Sequence, residues 1–361
     1  MQPNKRDSLY PWLLLSQTPK IGPVTLQKLV QSFGGIENIL EQTETTLSQV
    51  ISSTIARLIR DQVAKPDVLK SLQWLDQEPN NYIITPSDPL YPQELFHLSD
   101  YPPVLYLKGN IELLKNNKIA IVGTRHPSNQ GMENATMFAR ELANNGLTVV
   151  SGMAMGIDRY AHIGALEGKH STIGVIGTAI DQVYPKSNLE LFNQVIKDGL
   201  LISEFHLGTG PLANNFPRRN RIIAALSSGC LVVESANDGG SMITANLALE
   251  LGREVMAIPG SIHNPVARGC HKLIKTGAKL VETCNDIFEE LYIENKKPGY
   301  NDAFAISDPV LTAMGYEPIE IDKICNNLNI EFAEVCTKLL ELELDGKIAN
   351  CGNGKYQRIF K

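Results

Sequence analysis

The chain contains the stretch Lys118-Ile119-Ala120-Ile121-Val122-Gly123-Thr124-Arg125, an apolar run that ends abruptly at a glycine. Similar short apolar runs follow it, and segments with the apolar spacing of a helix separate most of them. These runs occupy residues 147–150, 172–176, 200–202, 231–233 and 255–258. Apolar strands that alternate with helices form a parallel sheet with helices on both faces. The pattern therefore predicts an α/β fold with a doubly wound parallel sheet.

The loops that follow the predicted strands contain glycine, serine and basic residues, and each leads into a predicted helix. Because the carboxyl ends of parallel strands meet at one edge of the sheet, these loops converge where such folds bind ligands. We call this the carboxyl edge. Its predicted anion-binding residues are Gly123, Thr124, Arg125, Ser151, Gly152, Lys186, Gly240 and Ser241, together with Arg218, Arg219 and Arg221.

The last three arginines lie in the segment Phe216-Pro217-Arg218-Arg219-Asn220-Arg221, which begins a predicted helix just after Asn214. Proline is typical of a first helical turn, and the free N–H groups there bind phosphate together with guanidinium groups. An aromatic ring beside them can stack on a base, which favours single-stranded nucleic acid as the ligand. The alternatives are that Phe216 packs beneath the loop and that the arginines pair internally. We expect one of them to pair with Glu204 or Glu234.

Several other functions lack their sequence signatures. Gly123 is not followed by the GxGxxG spacing of dinucleotide-binding sites, and no Walker A lysine motif occurs, so no cofactor is predicted. The six cysteines form no CxxC pair, which argues against zinc and disulfides and favours the cytoplasm. No apolar run approaches the ~18 residues of a membrane span. Asp158 and His162 share a helix face, and we interpret them as structural rather than as an acid/base pair.

The net charge of −6 is unevenly distributed along the chain. Residues 118–285 contain 15 Lys and Arg against 13 Asp and Glu, whereas residues 286–361 contain 8 against 14. A nucleic-acid partner is therefore expected at the predicted sheet and not at the C-terminal end.

Both flanking regions have the patterns of small domains. Residues 8–80 form short helices, and Ile21 to Val30 is similar to a helix-hairpin-helix turn, for which DNA contact and simple helix packing both stay open. Residues 308–361 have three helical segments and a turn-rich hairpin, the outline of a winged helix. Its third segment, near residues 331–345, has five acidic residues and Lys338 as its one cation. Such a helix would repel phosphate, so we expect it to contact protein or to regulate.

Taken in order, the motifs resemble those of the DprA/Smf family of bacterial DNA-processing proteins. The resemblance is dense from about residue 80 to residue 300. The matching segments are Gly123-Thr124-Arg125, 151–162, 181–185, 202–204, Phe216 to Arg221, Gly240 to Ala245, 252–255 and Pro259-Gly260.

The resemblance implies an extended Rossmann-like domain at 81–296, after a sterile-alpha-motif-like or helix-hairpin-helix-like domain at 1–80. A linker at 297–307 and a winged helix at 308–361 would follow. It also implies single-stranded DNA binding without sequence preference, protection of incoming strands, loading of the RecA recombinase in natural transformation, dimerisation through the Rossmann-like domain, and no enzymatic activity. The alternatives are a nucleotide-binding sensor and a nucleotide hydrolase of the related lysine-decarboxylase-like class, with Glu204 or Glu234 as the general acid/base.

Overall fold

The structure is a computed structural model that describes residues 5–293, 308–315 and 317–359. The expected linker at 297–307 lies outside these ranges. Six helices come first in the chain, and they pack around a cluster that includes Leu13, Leu14 and Leu29. They are α1 (Lys5–Gln17), α2 (Pro23–Phe33), α3 (Ile36–Glu41), α4 (Glu44–Leu47), α5 (Ser53–Arg60) and α6 (Lys65–Gln77).

The N-terminal helices are joined to the rest of the fold by a shared apolar cluster. Trp74 of α6 packs edge-to-face on Tyr106, with ring centroids 5.8 Å apart. The Tyr106 hydroxyl in turn accepts a hydrogen bond from Gln17 at 3.0 Å. The helical region therefore packs directly on the sheet domain.

A nine-stranded sheet forms the centre of the described residues, in the order β1-β2-β6-β5-β4-β3-β7-β8-β9. The strands β3 to β9 are parallel, and β2 and β1 extend one edge in antiparallel pairing. All six strands predicted from apolar runs are confirmed. The strands are β1 (Asn81–Ile84), β2 (Leu105–Gly109), β3 (Asn117–Val122), β4 (Leu147–Ser151), β5 (Thr172–Val175), β6 (Leu200–Ser203), β7 (Gly229–Val232), β8 (Glu254–Ala257) and β9 (Lys279–Leu280).

Helices cover both faces of this sheet, as predicted. Alternate residues of β3 point to opposite faces, so Ile119 and Ile121 pack on one helical layer and Ala120 and Val122 on the other. The helices are α7 (Asn129–Asn144), α8 (Ile157–Leu166), α9 (Leu189–Asp198), α10 (Asn215–Leu226), α11 (Gly240–Glu250), α12 (Arg268–Lys275) and α13 (Cys284–Glu290). Short 3-10 helices lie at Gln93–His97, Ile111–Lys115, Lys186–Asn188 and Pro265–Ala267.

The connections of the sheet reverse direction between β3 and β7. From β3 the chain proceeds through β4, β5 and β6 on one side, then crosses to β7 and continues outward through β8 and β9. A crevice opens where two such connections diverge, at the carboxyl ends of the strands. The topology therefore locates the candidate site beside Gly123 and Glu234.

The C-terminal region has a separate core around Ile324, Val335 and Leu339. Its three helices and three-stranded antiparallel sheet, in the order β10-β12-β11, form the predicted winged helix. The elements are α14 (Pro309–Met314), β10 (Ile319–Glu320), α15 (Ile321–Leu328), α16 (Phe332–Leu344), β11 (Ile348–Gly352) and β12 (Lys355–Arg358).

Candidate nucleic-acid interface

A crevice of about 650 Å³ opens at the carboxyl edge, at the reversal between β3 and β7. Its walls come from the loop after β3, the first residues of α8, the first two turns of α10 and the beginning of α11. Several helices therefore present their N-terminal ends to one space, where unpaired backbone N–H groups favour an anion.

The floor of the crevice is aromatic. The Phe216 ring lies over Gly177, where a Cβ atom would come within 2.7 Å of the ring, so only glycine permits this depth. Tyr184 packs beside Phe216 with ring centroids 5.4 Å apart and planes tilted by 40°. The Arg125 guanidinium lies 5.9 Å from the Phe216 ring centroid, and Arg125 is exposed. A cation thus stands beside a stacking surface, an arrangement that suits a nucleotide strand.

Arg125 is oriented by the backbone of the loop that carries it. Thr124 donates its N–H to Glu234 O at 2.7 Å and accepts a bond from the Ile157 N–H at 3.1 Å. Gly156 has φ +78° and ψ −135°, a conformation that disfavours every residue except glycine. A Cβ atom there would lie 2.3 Å from Thr124 O. Two distant loops are therefore locked together beneath Arg125.

Arg219 lines the crevice, but its side chain points inward. It is 4 % exposed and donates to the carbonyl groups of Gly152 and Val175. The buried carboxylate of Asp158 lies near it and accepts a bond from the Gly152 N–H at 3.1 Å. Burial raises the pKa of Asp158, and the positive charge of Arg219 opposes that rise. Burial lowers the pKa of Arg219 to about 10. Arg219 and Asp158 each bond to Gly152, and their opposite charges interact within the buried layer that holds the loop after β4.

His162 belongs to the same buried layer. Its Nε2 accepts from the Met153 N–H at 3.2 Å, and its Nδ1 lies 2.7 Å from Thr172 Oγ1, which itself donates to Val149 O. These bonds select the neutral tautomer with the proton on Nδ1. Burial lowers the pKa of His162 to about 3, which also keeps the ring neutral. The structural interpretation of Asp158 and His162 agrees with this geometry.

Arg218 and Arg221 both bind the buried carboxylate of Glu204, with distances to Oε2 of 3.0 and 2.5 Å. Arg221 also lies 3.2 Å from Asp100 and is buried. The side chain of Arg218 is 43 % exposed and packs over the Phe205 ring at 5.7 Å. Burial raises the pKa of Glu204, and the two arginines oppose that shift. The prediction that an arginine pairs with Glu204 is confirmed.

The predicted cluster of three arginines on one surface requires a correction. Arg218 alone of the three is substantially exposed, because Arg219 and Arg221 point from α10 toward buried carboxylates. Pro217 is the third residue of α10 and not its first. The first turn of α10 and Arg125 remain at the crevice. Arg219 lines it with only 4 % of its surface exposed, and Arg221 is buried against Glu204.

The other predicted site residues also divide into some that are exposed or line the crevice and some that are bonded inside the fold. Lys186 and Asn214 are exposed, Asn220 lines the crevice, and Gly240 is the first residue of α11. The Ser151 hydroxyl is fully buried and donates to Ile121 O at 2.7 Å, so it does not reach the surface. Ser241 lines the crevice but donates to Ser235 Oγ at 2.8 Å. Tyr184 and Met155 also lie at this site, and neither was predicted as a site residue. An aromatic residue in the loop after β5 was a usable signal for Tyr184.

The two carboxylates that a nucleotide hydrolase would use as general acid/base, Glu204 and Glu234, are both bonded to other residues of the chain. Glu204 is fixed between two arginines, and Glu234 accepts from the N–H and hydroxyl of Ser128 at 2.9 and 2.6 Å. Neither belongs to the residues that line the crevice within the described part of the chain.

Among residues 5–293, 308–315 and 317–359, no group of three His, Cys, Asp or Glu side chains could hold a metal ion. No helix in the same ranges is long and apolar enough to cross a bilayer.

The fold and the crevice define a Rossmann-like protein with a basic, aromatic-floored site at the switch point of its sheet. Comparison with known families assigns residues 82–292 to the DNA recombination-mediator protein A family and residues 296–354 to the DprA winged helix domain. The chain therefore belongs to the DNA recombination-mediator protein A family, as the motif resemblance predicted.

Individual relatives agree with this assignment. The chain is 38 % identical over 328 residues to protein Smf of Escherichia coli, which covers 88 % of this chain and 86 % of the relative. The crystal structure of DprA from Streptococcus pneumoniae matches with a TM-score of 0.70 and 33 % identity, over 80 % of this chain and 99 % of that one. DprA from Helicobacter pylori, described for a unique single-stranded DNA binding mode, matches with a TM-score of 0.54 and 30 % identity over 58 % and 95 % of the two chains.

Proposed function

We propose that the protein binds single-stranded DNA in the crevice, without sequence preference and without chemical turnover. The observation that carries this proposal is the exposed Arg125 guanidinium beside the Phe216 ring, 5.9 Å from its centroid. Stacking on an aromatic ring tolerates every base, and phosphate contacts are blind to sequence. The relative from Helicobacter pylori, described as binding single-stranded DNA, supports the same ligand.

The proposed contacts fall into two groups. Arg125, Lys186 and Arg218 supply exposed positive charge, and the N-terminal turns of α10 and α11 supply N–H groups near Asn214 and Gly240. Phe216 stacks on a base, while Gly123, Thr124, Gly152, Asn220 and Ser241 shape the crevice walls. Ser151, Arg219 and Arg221 act indirectly in this proposal, by holding those walls in place.

The biological role that we propose follows from the family. The protein protects incoming single strands in the cytoplasm and helps to load the RecA recombinase onto them during natural transformation. It acts as a homodimer through the Rossmann-like domain at 81–296, with a helical domain at 1–80, a linker at 297–307 and a winged helix at 308–361. Strand-exchange assays with RecA on strands coated by a single-strand-binding protein test the loading role, and light scattering tests the dimer.

We expect single strands to bind better than duplex of the same length, with an affinity that falls steeply as salt increases. Three exposed cations on phosphates give a slope of about −2 in a plot of log K against log salt, at roughly −0.7 per contact. Fluorescence anisotropy across a salt series measures this slope. A flat response, or tighter binding of duplex, would contradict the proposal. Equal affinity for a mononucleotide would instead favour the nucleotide sensor.

Removal of the winged helix should leave single-strand affinity unchanged or slightly higher. The α16 region carries Glu331, Glu334, Glu341, Glu343 and Asp345, and its one cation, Lys338, pairs with Asp308 at 3.5 Å and Glu341 at 3.1 Å. Deletion therefore removes negative charge, which repels a strand over a Debye length of about 8 Å. Binding by a chain that ends at Pro298 tests this. A folded truncation that loses most of its affinity would show that the winged helix contacts DNA.

A further inference from the structure

The solvent-facing side of α16 carries apolar residues where a DNA-binding winged helix would carry cations. In a helix-turn-helix, the second helix enters the major groove, and α16 holds that place after α15. Its opposite side is fixed in the domain core by Val335, Leu339 and Leu342. At about 100° per residue, the residues that point away from this core are Ala333, Thr337, Leu340 and Leu344, and all four are exposed. We call these four residues the α16 stripe.

The α16 stripe has the spacing of a seam between two packed helices. Its residues follow at i, i+4, i+7 and i+11, which is the heptad pattern, and they span about 16 Å at 1.5 Å per residue. Leu340 and Leu344 are 58 % and 80 % exposed. One exposed leucine is ordinary on a protein surface, but two on a heptad seam indicate a surface that packs on another helix.

Acidic residues border the α16 stripe on both sides. Glu334 and Glu341 lie along one side, and Glu343 lies along the other. These positions flank the seam in a coiled coil, where salt bridges between the helices set the choice of partner. Lys338 donates to Glu341 at 3.1 Å, but residues 331–345 still contain five acidic side chains against that one cation. The border of the stripe is therefore negative.

This charge opposes two occupants and favours a third. A nucleic acid would be repelled by the carboxylates, and a second copy of α16 would place Glu against Glu across the seam. A helix with its own apolar seam and with Lys or Arg on both sides would bury the two leucines and pair the bordering Glu residues with cations. Charge complementarity therefore selects a basic amphipathic helix.

We infer that the α16 stripe docks a helical segment of another protein, in which Lys and Arg border an apolar heptad seam. This inference goes beyond the single-strand binding proposed above and is independent of it, since no residue of α16 lines the crevice. The partner is defined by the shape of its seam and by the positive charge beside it. Its contact surface is the helix face that DNA occupies in other winged helices.

The test uses the full chain and two labelled peptides of about three heptads, long enough to form helices. Both peptides have leucine on the seam, and the bordering positions are lysine in the basic peptide and glutamate in the acidic one. Anisotropy compares the wild type with L340Q/L344Q, which removes the leucines but retains the charge and the helix propensity. The matched control is L69Q/L189Q, because Leu69 and Leu189 are also exposed on helices, at 49 % and 51 %.

The wild type should bind the basic peptide at least about ten-fold more tightly than the acidic one, because the bordering Glu residues attract the first and repel the second. L340Q/L344Q should lose at least about ten-fold in affinity for the basic peptide, since the two leucines no longer become buried. L69Q/L189Q should bind it as the wild type does.

The acidic border is tested by variants of its own. E334Q/E343Q should reduce the preference for the basic peptide to about two- or three-fold, because most of the charge beside the seam is lost. E250Q/E289Q is its control: it removes the same charge from exposed positions on α11 and α13, and it should retain the full preference.

A general attraction between a basic peptide and an acidic protein would give L340Q/L344Q the affinity of the wild type, and that result overturns the inference. Equal affinity for the two peptides, or no binding of the basic one, overturns it as well. A smaller mass of L340Q/L344Q in light scattering assigns the stripe to a second copy, and a loss of single-strand affinity assigns it to DNA; either result replaces the inferred partner. Because the peptides are titrated without DNA, this inference and the proposed function fail separately.

Discussion

Replacement of Arg125 by Ala should weaken single-strand binding roughly 10- to 100-fold, since one charge-assisted hydrogen bond contributes about 1.5–3 kcal/mol. The thermal midpoint should barely change, because Arg125 is exposed and contacts the ring of Phe216 without supporting the core. The salt slope should become shallower by about 0.7. Anisotropy and thermal unfolding of the same preparation measure both effects.

The matched control is R140A. Arg140 is also an exposed arginine, on α7, and it pairs with Glu167 at 2.5 Å. Its removal should change neither affinity nor salt slope, and stability by at most about 1 kcal/mol. If R125A instead lowers the melting temperature and each folded molecule keeps its affinity, Arg125 is a structural residue and the proposed interface is wrong.

Replacement of Arg219 by Met should strongly lower the free energy of unfolding. The buried carboxylate of Asp158 would lose its counter-charge, and the Gly152 and Val175 carbonyl groups would lose a donor. A buried charge left without its counter-charge costs up to about 3–5 kcal/mol, a large part of the total stability of a domain. Urea unfolding of R219M against wild type measures this cost.

Two further variants show where the lost free energy of unfolding comes from. The double variant D158N/R219M should recover part of the stability, because it leaves no uncompensated carboxylate. R218M should be much milder, since the Arg218 side chain is 43 % exposed and Glu204 keeps its bond to Arg221. A stable R219M that has lost its DNA affinity would show instead that Arg219 contacts the strand directly.

The apolar runs sufficed to predict the central sheet. Each of the six runs is too short for a helix and too apolar for a surface strand, so the parallel sheet followed from composition and spacing alone. The position of the site followed as well, because parallel strands bring their carboxyl ends to one edge whatever their order. The antiparallel addition of β1 and β2 was not predicted, because the sequence of a strand does not show which neighbour it pairs with or in which direction.

The sequence alone thus determined the fold class, the edge of the sheet where the crevice opens, and Arg125 and Phe216 as residues at that edge. Only the tertiary structure decided which arginines of α10 reach the surface. Helical spacing puts Arg218 and Arg221 on one face and Arg219 on another, but a face is buried or exposed according to what packs against it. Here Asp158 and Glu204, which are distant along the chain, lie under α10, and their negative charges stabilise Arg219 and Arg221 in buried positions. A charged side chain is buried only where a counter-charge is folded against it, and that pairing is a property of the assembled fold.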